Sequence, residues 1–192
     1  MSITTKTGDQ GQTRNFRGDR VSKADLSIEL SGAFDTAQSA LGFAIIEARR
    51  AEQAGDAATG IANLRGCSVT HIAGVLVEQQ RTLFACAGEL AGGAGFDGDG
   101  RRMAALEDCV AKLNERVAPA SFILPGGSEL AARIDLARVA VRACERVAVS
   151  ARDSSGLAVT PELLTYLNRL SDFLFLAARL ANAAQGIAET AV

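Results

Sequence analysis

Tryptophan is absent from the 192 residues, aromatics make up 5%, and prolines number three. So few aromatics and helix breakers argue against a β-sandwich, and abundant alanine suits packed helices. His71 is the single histidine. A Ser-His-Asp or Cys-His arrangement would have to use it, and nothing near it resembles a nucleophile elbow. It reads as a structural histidine. Cys67, Cys86, Cys109 and Cys144 are scattered without a CxxC pair, and read as reduced, buried thiols rather than metal ligands. A site for metal built from protein side chains is therefore not expected. No apolar run approaches membrane-spanning length, and the first residues lack the apolar core of a signal peptide. The expected setting is the cytoplasm. A formal charge of −2 gives no support to a nucleic-acid binder.

What is present is helical periodicity. Residues 3–23 read as an irregular polar loop with Lys6, Arg14, Arg17, Arg20 and Lys23 among glycines and hydroxyls. Ser22 or Asp25 caps a first helix to about Ala51, with Leu26, Leu30, Ala33, Ala37, Leu41 and Ala44 inward. A second helix spans about Ile61 to Leu90 and stops at Gly92-Gly93. Gly92 to Gly100 reads as a mobile connection. Its Asp97-Gly-Asp-Gly lacks the remaining ligands of a calcium loop. A third helix covers about Arg102 to Val117, and a fourth about Ser128 to Ala151. The fifth starts with Thr160 as cap and Pro161 in first position, and runs to about Asn182. The expected fold is all-α: an antiparallel five-helix bundle (24–186) behind an irregular N-terminal ligand-binding loop (1–23), in one domain.

Two stripes run along the fourth helix. Leu130, Ile134, Ala137, Val141, Cys144 and Ala148 make an apolar one. Arg138, Arg142, Glu145 and Arg146 fall within an arc of about 100°, displaced from it by about 110°. The charged stripe fits either an anion site or a solvated edge. The Phe122-Ile-Leu-Pro-Gly-Gly127 turn just upstream favours a site. The N-terminal loop combines glycine backbone, threonine hydroxyls and cations, as a polyphosphate requires, but it contains no P-loop. Disordered tail is the plainer alternative. Asn168 and Asp172 share a face in the fifth helix and fit a helix-to-helix hydrogen bond or a ligand contact. Phe122, Phe173 and Phe175 fit core packing or ligand contact.

Three blocks together resemble the PduO-type ATP:cob(I)alamin adenosyltransferase family. The first is Thr5-Lys-Thr-Gly-Asp-Gln-Gly-Gln-Thr-Arg14 with Arg20-Val-Ser-Lys23, Gly32-Ala-Phe-Asp35 and Ser39-Ala-Leu-Gly42. The second is the Phe122–Gly127 turn with Ala137-Arg138, Arg142 and Glu145-Arg146. The third is Tyr166-Leu-Asn-Arg-Leu-Ser-Asp-Phe-Leu-Phe175 with Ala178-Arg179. The second helix adds Leu83-Phe84 and Gly88-Glu-Leu-Ala91. The resemblance covers nearly the whole chain.

It implies transfer of the 5′-deoxyadenosyl group of ATP to the cobalt of a reduced corrinoid, with Mg²⁺ accompanying ATP. Thr5, Lys6, Thr7, Gly8, Thr13, Arg14 and Lys23 are implied around ATP, completed by Arg142, Glu145, Arg146 and Asn168. Phe122 is implied beneath the corrin, where it displaces the lower ligand, and Phe175 on the corrinoid side. Arg142 and Phe122 are the implied catalytic pair. Asp35 and Arg138 match a pair that bridges subunits of a homotrimer. An adenosylcobalamin-dependent enzyme is an implied recipient of product. The chain departs from the family pattern at Arg17, Thr36, Gln38, Asp135, Val139 and Ala143; Asp135 stands where histidine is usual and Ala143 where a second arginine is usual. A catalytically weak homologue that binds or delivers adenosylcobalamin, or senses nucleotide, is the second reading, and a helical scaffold without ligand the third.

Overall fold

The computed structural model describes residues 4, 6–53, 72–119 and 121–192. Five helices carry the fold: α1 (Leu26–Gln53), α2 (Ile72–Leu90), α3 (Arg101–Val117), α4 (Glu129–Ser155) and α5 (Pro161–Ala184). Helix α1 packs on α2 and α4, and α5 packs on α4 and α3, giving the order α2-α1-α4-α5-α3. The five residues between α4 and α5 close a helical hairpin, so those two run antiparallel.

The apolar stripe expected on α4 is buried throughout, from Leu130 to Ala148. On α1, Leu30, Ala37, Leu41 and Ala44 are buried as expected, but Leu26 and Ala33 are only partly so, and Phe34 lies in the core. A stripe of about 100° admits either neighbour, and the larger side chain takes the interior. Phe173 is core, and the buried hydroxyl of Tyr166 donates to the Gln79 side chain at 3.1 Å.

Several expectations need correction. The N-terminal segment is not wholly irregular: β1 (Gln12–Arg14) and β2 (Arg20–Ser22) form an antiparallel pair, with Thr13 opposite Val21. The Asn15 carboxamide oxygen organises the turn, accepting from the backbone N–H groups of Arg17 and Asp19. Helix α4 extends four residues beyond Ala151, ending where Gly156 adopts φ 65°. Helix α5 continues two residues past Asn182. The connection from Gly92 to Gly100 is tied down rather than loose. Glu89 accepts from Phe96 N–H at 2.9 Å and from the Thr160 hydroxyl at 2.7 Å. Asp97 accepts from the N–H groups of Arg102 and Met103, and so it caps the start of α3.

Cys86 and Cys144 are free and buried, and burial pushes the Cys144 thiol up to about 12. Cys109, expected reduced, is disulfide-bonded. Pairing depends on Cα proximity in the fold, which sequence spacing does not report. The start expected for the second helix, with Cys67 and His71, lies outside the described residues.

The turn before α4 is fixed by glycine geometry. Gly126 and Gly127 have φ of 121° and 100°, and a Cβ added at Gly127 would lie 2.5 Å from Asn182 Nδ2. Asn182 donates to Gly126 O at 2.8 Å and accepts from Ser128 N–H at 2.8 Å. Gly127→Ala should therefore cost about 2 kcal/mol or more in urea unfolding, since it combines a disfavoured φ with a clash. An unchanged midpoint would show that the turn does not depend on this approach.

Candidate functional site

Three concavities gather the residues singled out in the sequence. The largest, about 700 Å³, is walled by Val110 and Asn114 of α3, Phe122 and Ile123 of the turn, Arg138 and Arg142 of α4, and Ser171, Asp172, Phe175 and Leu176 of α5. A second, about 320 Å³, lies between Arg142, Glu145, Arg146, Val149 and Asn168. Arg142 belongs to both. A third, about 480 Å³, is enclosed by the N-terminal segment: Thr7, Gly8, Gln12, Thr13, Arg14, Arg20 and Lys23. It shares no lining residue with the other two.

The α4 charged stripe thus serves two environments. Successive turns place Arg138 and Arg142 on the large cavity, and Arg142, Glu145 and Arg146 on the smaller cleft. Among the described residues, neither Arg142 nor Arg146 forms an ion pair. Glu145 accepts from Asn168 Nδ2 at 3.3 Å, linking α4 to α5. Asn168 and Asp172 are exposed, not buried, so desolvation does not oblige them to pair with each other. Two unpaired guanidinium groups and a primary amide around one cleft suit a polyanion.

The large cavity differs in character. Phe122 is 88% exposed and stands at its rim, while Phe175 is half-buried in its wall. The guanidinium carbons of Arg138 and Arg179 lie 5.9 and 5.2 Å from the Phe175 ring centre. An aromatic exposed to this degree is not core packing; it is available to a ligand with a broad apolar face.

Beneath the cavity lies a cluster that the sequence reading did not assemble. Asp135 is buried, with Oδ2 accepting from Arg179 Nη2 at 3.0 Å and from Gly126 N–H at 3.2 Å, and Oδ1 accepting from Arg138 Nε at 3.1 Å. Arg179 is 2% exposed, and its Nε lies 2.6 Å from Glu189 Oε1 as a charge contact rather than an aligned hydrogen bond. In the sequence, position 135 stands out only as a departure from the family pattern that the resemblance implies. Its i,i+3 spacing to Arg138 was the available signal.

In the N-terminal segment Lys6 has φ 58°, strained for a side-chain-bearing residue. A Cβ added at Gly8 would meet Lys23 Nζ at 3.3 Å, so the ammonium lies directly over the glycine. Lys23 N–H also bonds Gly11 O at 2.9 Å. Arg14 donates to Gly18 O at 2.6 Å. Thr5 lies outside the described residues. Asp35 is exposed on α1, and among the described residues it has no ion pair, whereas Arg138 is engaged by Asp135 of its own chain. Among the described residues no cluster of three metal-ligating side chains occurs, and no helix is long and apolar enough to cross a membrane.

The fold is a helix bundle in which a cationic cleft and an aromatic-rimmed cavity share Arg142, and the two linings differ in chemistry, one suited to an anion and the other to a broad apolar face. The chain belongs to the cobalamin adenosyltransferase family, whose sequence profile matches residues 3–181. It is 36% identical over 197 residues to the corrinoid adenosyltransferase of Bacillus subtilis, covering 98% of this chain and 91% of that protein. Among solved structures it resembles a variant PduO-type ATP:corrinoid adenosyltransferase from Lactobacillus reuteri complexed with cobalamin and ATP. The TM-score is 0.78 at 29% identity, covering 100% of this chain and 99% of that one. A second variant of that protein, complexed with ATP, matches with a TM-score of 0.80 at 29% identity over 99% of both chains.

The Asp135 cluster sets a stability test for the site. Asp135→Ala leaves the buried Arg179 with Glu189 as its one remaining ion-pair partner among the described residues and Gly126 N–H without its acceptor, and should lower unfolding free energy by on the order of 3 kcal/mol. Retention of the wild-type urea midpoint would mean that Glu189 alone satisfies Arg179.

Proposed function

We propose that this protein transfers the 5′-deoxyadenosyl group of ATP to the cobalt of a reduced corrinoid, releasing triphosphate. The carrying observation is Arg142, shared by the cationic cleft and the aromatic-rimmed cavity, which is where two substrates must meet. Family membership and relatives complexed with cobalamin and ATP support the same reading. The chain acts as one unit, with residues 1–23 as the nucleotide loop and 24–186 as the bundle.

The chemistry needs alignment rather than proton transfer. A one-electron donor outside the protein reduces Co(II) to Co(I). The cobalt electron pair then forms a bond to C5′ of ATP, and the C5′–O bond breaks with its electrons going to triphosphate. Arg142, Arg146 and Asn168 bind and steady the leaving phosphates, while Glu145 orients Asn168. Thr5, Lys6, Thr7, Gly8, Thr13, Arg14 and Lys23 supply the other side of the nucleotide. Mg²⁺ arrives with the phosphates, which fits a cleft whose lining contains one carboxylate, Glu145. Phe122 occupies the face of the corrin from which the lower ligand must leave, and Phe175 lines the same side.

A homotrimer completes this reading. The N-terminal pocket shares no wall with the α4–α5 cleft, so a neighbour's loop closes each site, and Asp35 is open to a cation across the joint. Phe43, Ile46, Leu136 and Val139 leave an exposed apolar surface on the packed pair α1 and α4 that such an assembly would cover. The setting is the cytoplasm, and an adenosylcobalamin-dependent enzyme takes the product.

Anaerobic incubation with reduced cobalamin and ATP tests the function. Appearance of a carbon–cobalt bond with stoichiometric triphosphate supports it, while tight adenosylcobalamin binding without turnover would favour a carrier. Arg142→Ala should raise KM for ATP about tenfold or more, the cost of a lost charge-assisted contact. Unchanged kinetics would remove Arg142 from the phosphate site. Phe122→Ala should slow cobalamin far more than cobinamide, which has no lower ligand. Equal losses would contradict the assigned role.

A further inference from the structure

The segment after α5 returns to the aromatic rim. Ile123 and Ala191 form an antiparallel bridge. Leu124 N–H donates to Thr190 O at 2.9 Å, and Val192 N–H donates to Phe122 O at 3.0 Å. The second of these bonds uses the carbonyl of Phe122 itself. Upstream, Glu189 contacts two residues that brace the same turn from below: Arg179 Nε at 2.6 Å and Asn182 Nδ2 at 3.1 Å. Asn182 holds Gly126 O, and Arg179 holds Asp135, which in turn accepts from Gly126 N–H. Phe122 is thus a fully presented side chain on a backbone gripped from two directions, with its own ring making little contact.

We infer that residues 187–192 form a strap that positions Phe122, and that Glu189 and the Val192 N–H are positioning groups for the corrinoid side of the site. An aromatic that is 88% exposed cannot be fixed by packing, so its aim depends on the backbone beneath it. The strap supplies two of that backbone's hydrogen bonds, and Glu189 couples it to the buried cluster under the cavity. This role rests on the adenosyltransferase reading, because it acts through the contact of Phe122 with the corrin.

Val192→Pro deletes the donor to Phe122 O at a residue that is 86% exposed, so folding should be retained. Glu189→Gln keeps an acceptor for Asn182 but removes the charge beside Arg179. Each should lower kcat with cobalamin about fivefold, the factor one backbone hydrogen bond is worth, and leave cobinamide turnover and KM for ATP near wild type. Paramagnetic resonance of bound Co(II)cobalamin should show a smaller fraction free of its lower ligand. In a Phe122→Ala background Val192→Pro should add no further loss, because both act on one element.

Equal losses with both corrinoids, or additive losses in the double variant, would reduce the strap to a stabilising contact and overturn the inference. Variants matching wild type on an active enzyme would overturn it as well, leaving the transferase reading intact. If wild-type protein turns over neither corrinoid, the transferase reading falls and the strap's role falls with it.

Discussion

The buried ion pair between Asp135 of α4 and Arg179 of α5 is the constraint on which the site depends. Neither charge tolerates the interior alone, so the two helices are held where both can be satisfied. The remaining capacity of the carboxylate is then spent on the site. One bond fixes Arg138 at the cavity wall, and another holds the Gly126 N–H of the turn that presents Phe122. A single aspartate therefore relates helix packing, cavity cation and rim aromatic. This is also a position where the resemblance leads one to expect histidine. Here the acidic side chain has taken a structural role with a second arginine rather than leaving a gap.

Above that cluster, the division of labour along α4 follows from helix geometry. One charged stripe crosses two concavities because it advances a turn every three to four residues. Arg138 is neutralised and held, whereas Arg142 and Arg146 have no ion pair among the described residues and face a cleft. The difference between them is local pairing, not residue type. It separates cations that build a site from cations available to a ligand. Ala143, where the resemblance leads one to expect a second arginine, does not empty the cleft of charge, since Arg142 and Arg146 both line it.

The N-terminal segment is built on other principles. Its hairpin is short, its turn is set by Asn15, and its cations lie over glycine backbone rather than in a core. Lys6 holds a left-handed conformation there, consistent with a segment shaped for a ligand rather than for its own stability.

Helix number, the inward stripe of α4, the Thr160-Pro161 start of α5 and the stop of α2 before Gly92 are local matters of period and capping, and they were legible residue by residue; the stop of α4 at Gly156 was not. The charged composition of the α4 stripe and the aromatic in the turn were visible in the sequence, which left the stripe open between an anion site and a solvated edge. The short hairpin was missed because strands of three residues offer too little alternation to read. The buried cluster and the strap were invisible for a different reason: Asp135 meets Arg179 across 44 positions, and Phe122 meets Val192 across 70. Sequence by itself determined which helices form and which charges they carry. Only the tertiary structure decided which charges are paired: Arg138 with Asp135, while Arg142 has no ion pair among the described residues. Pairing is a property of distance between elements, which no local pattern encodes.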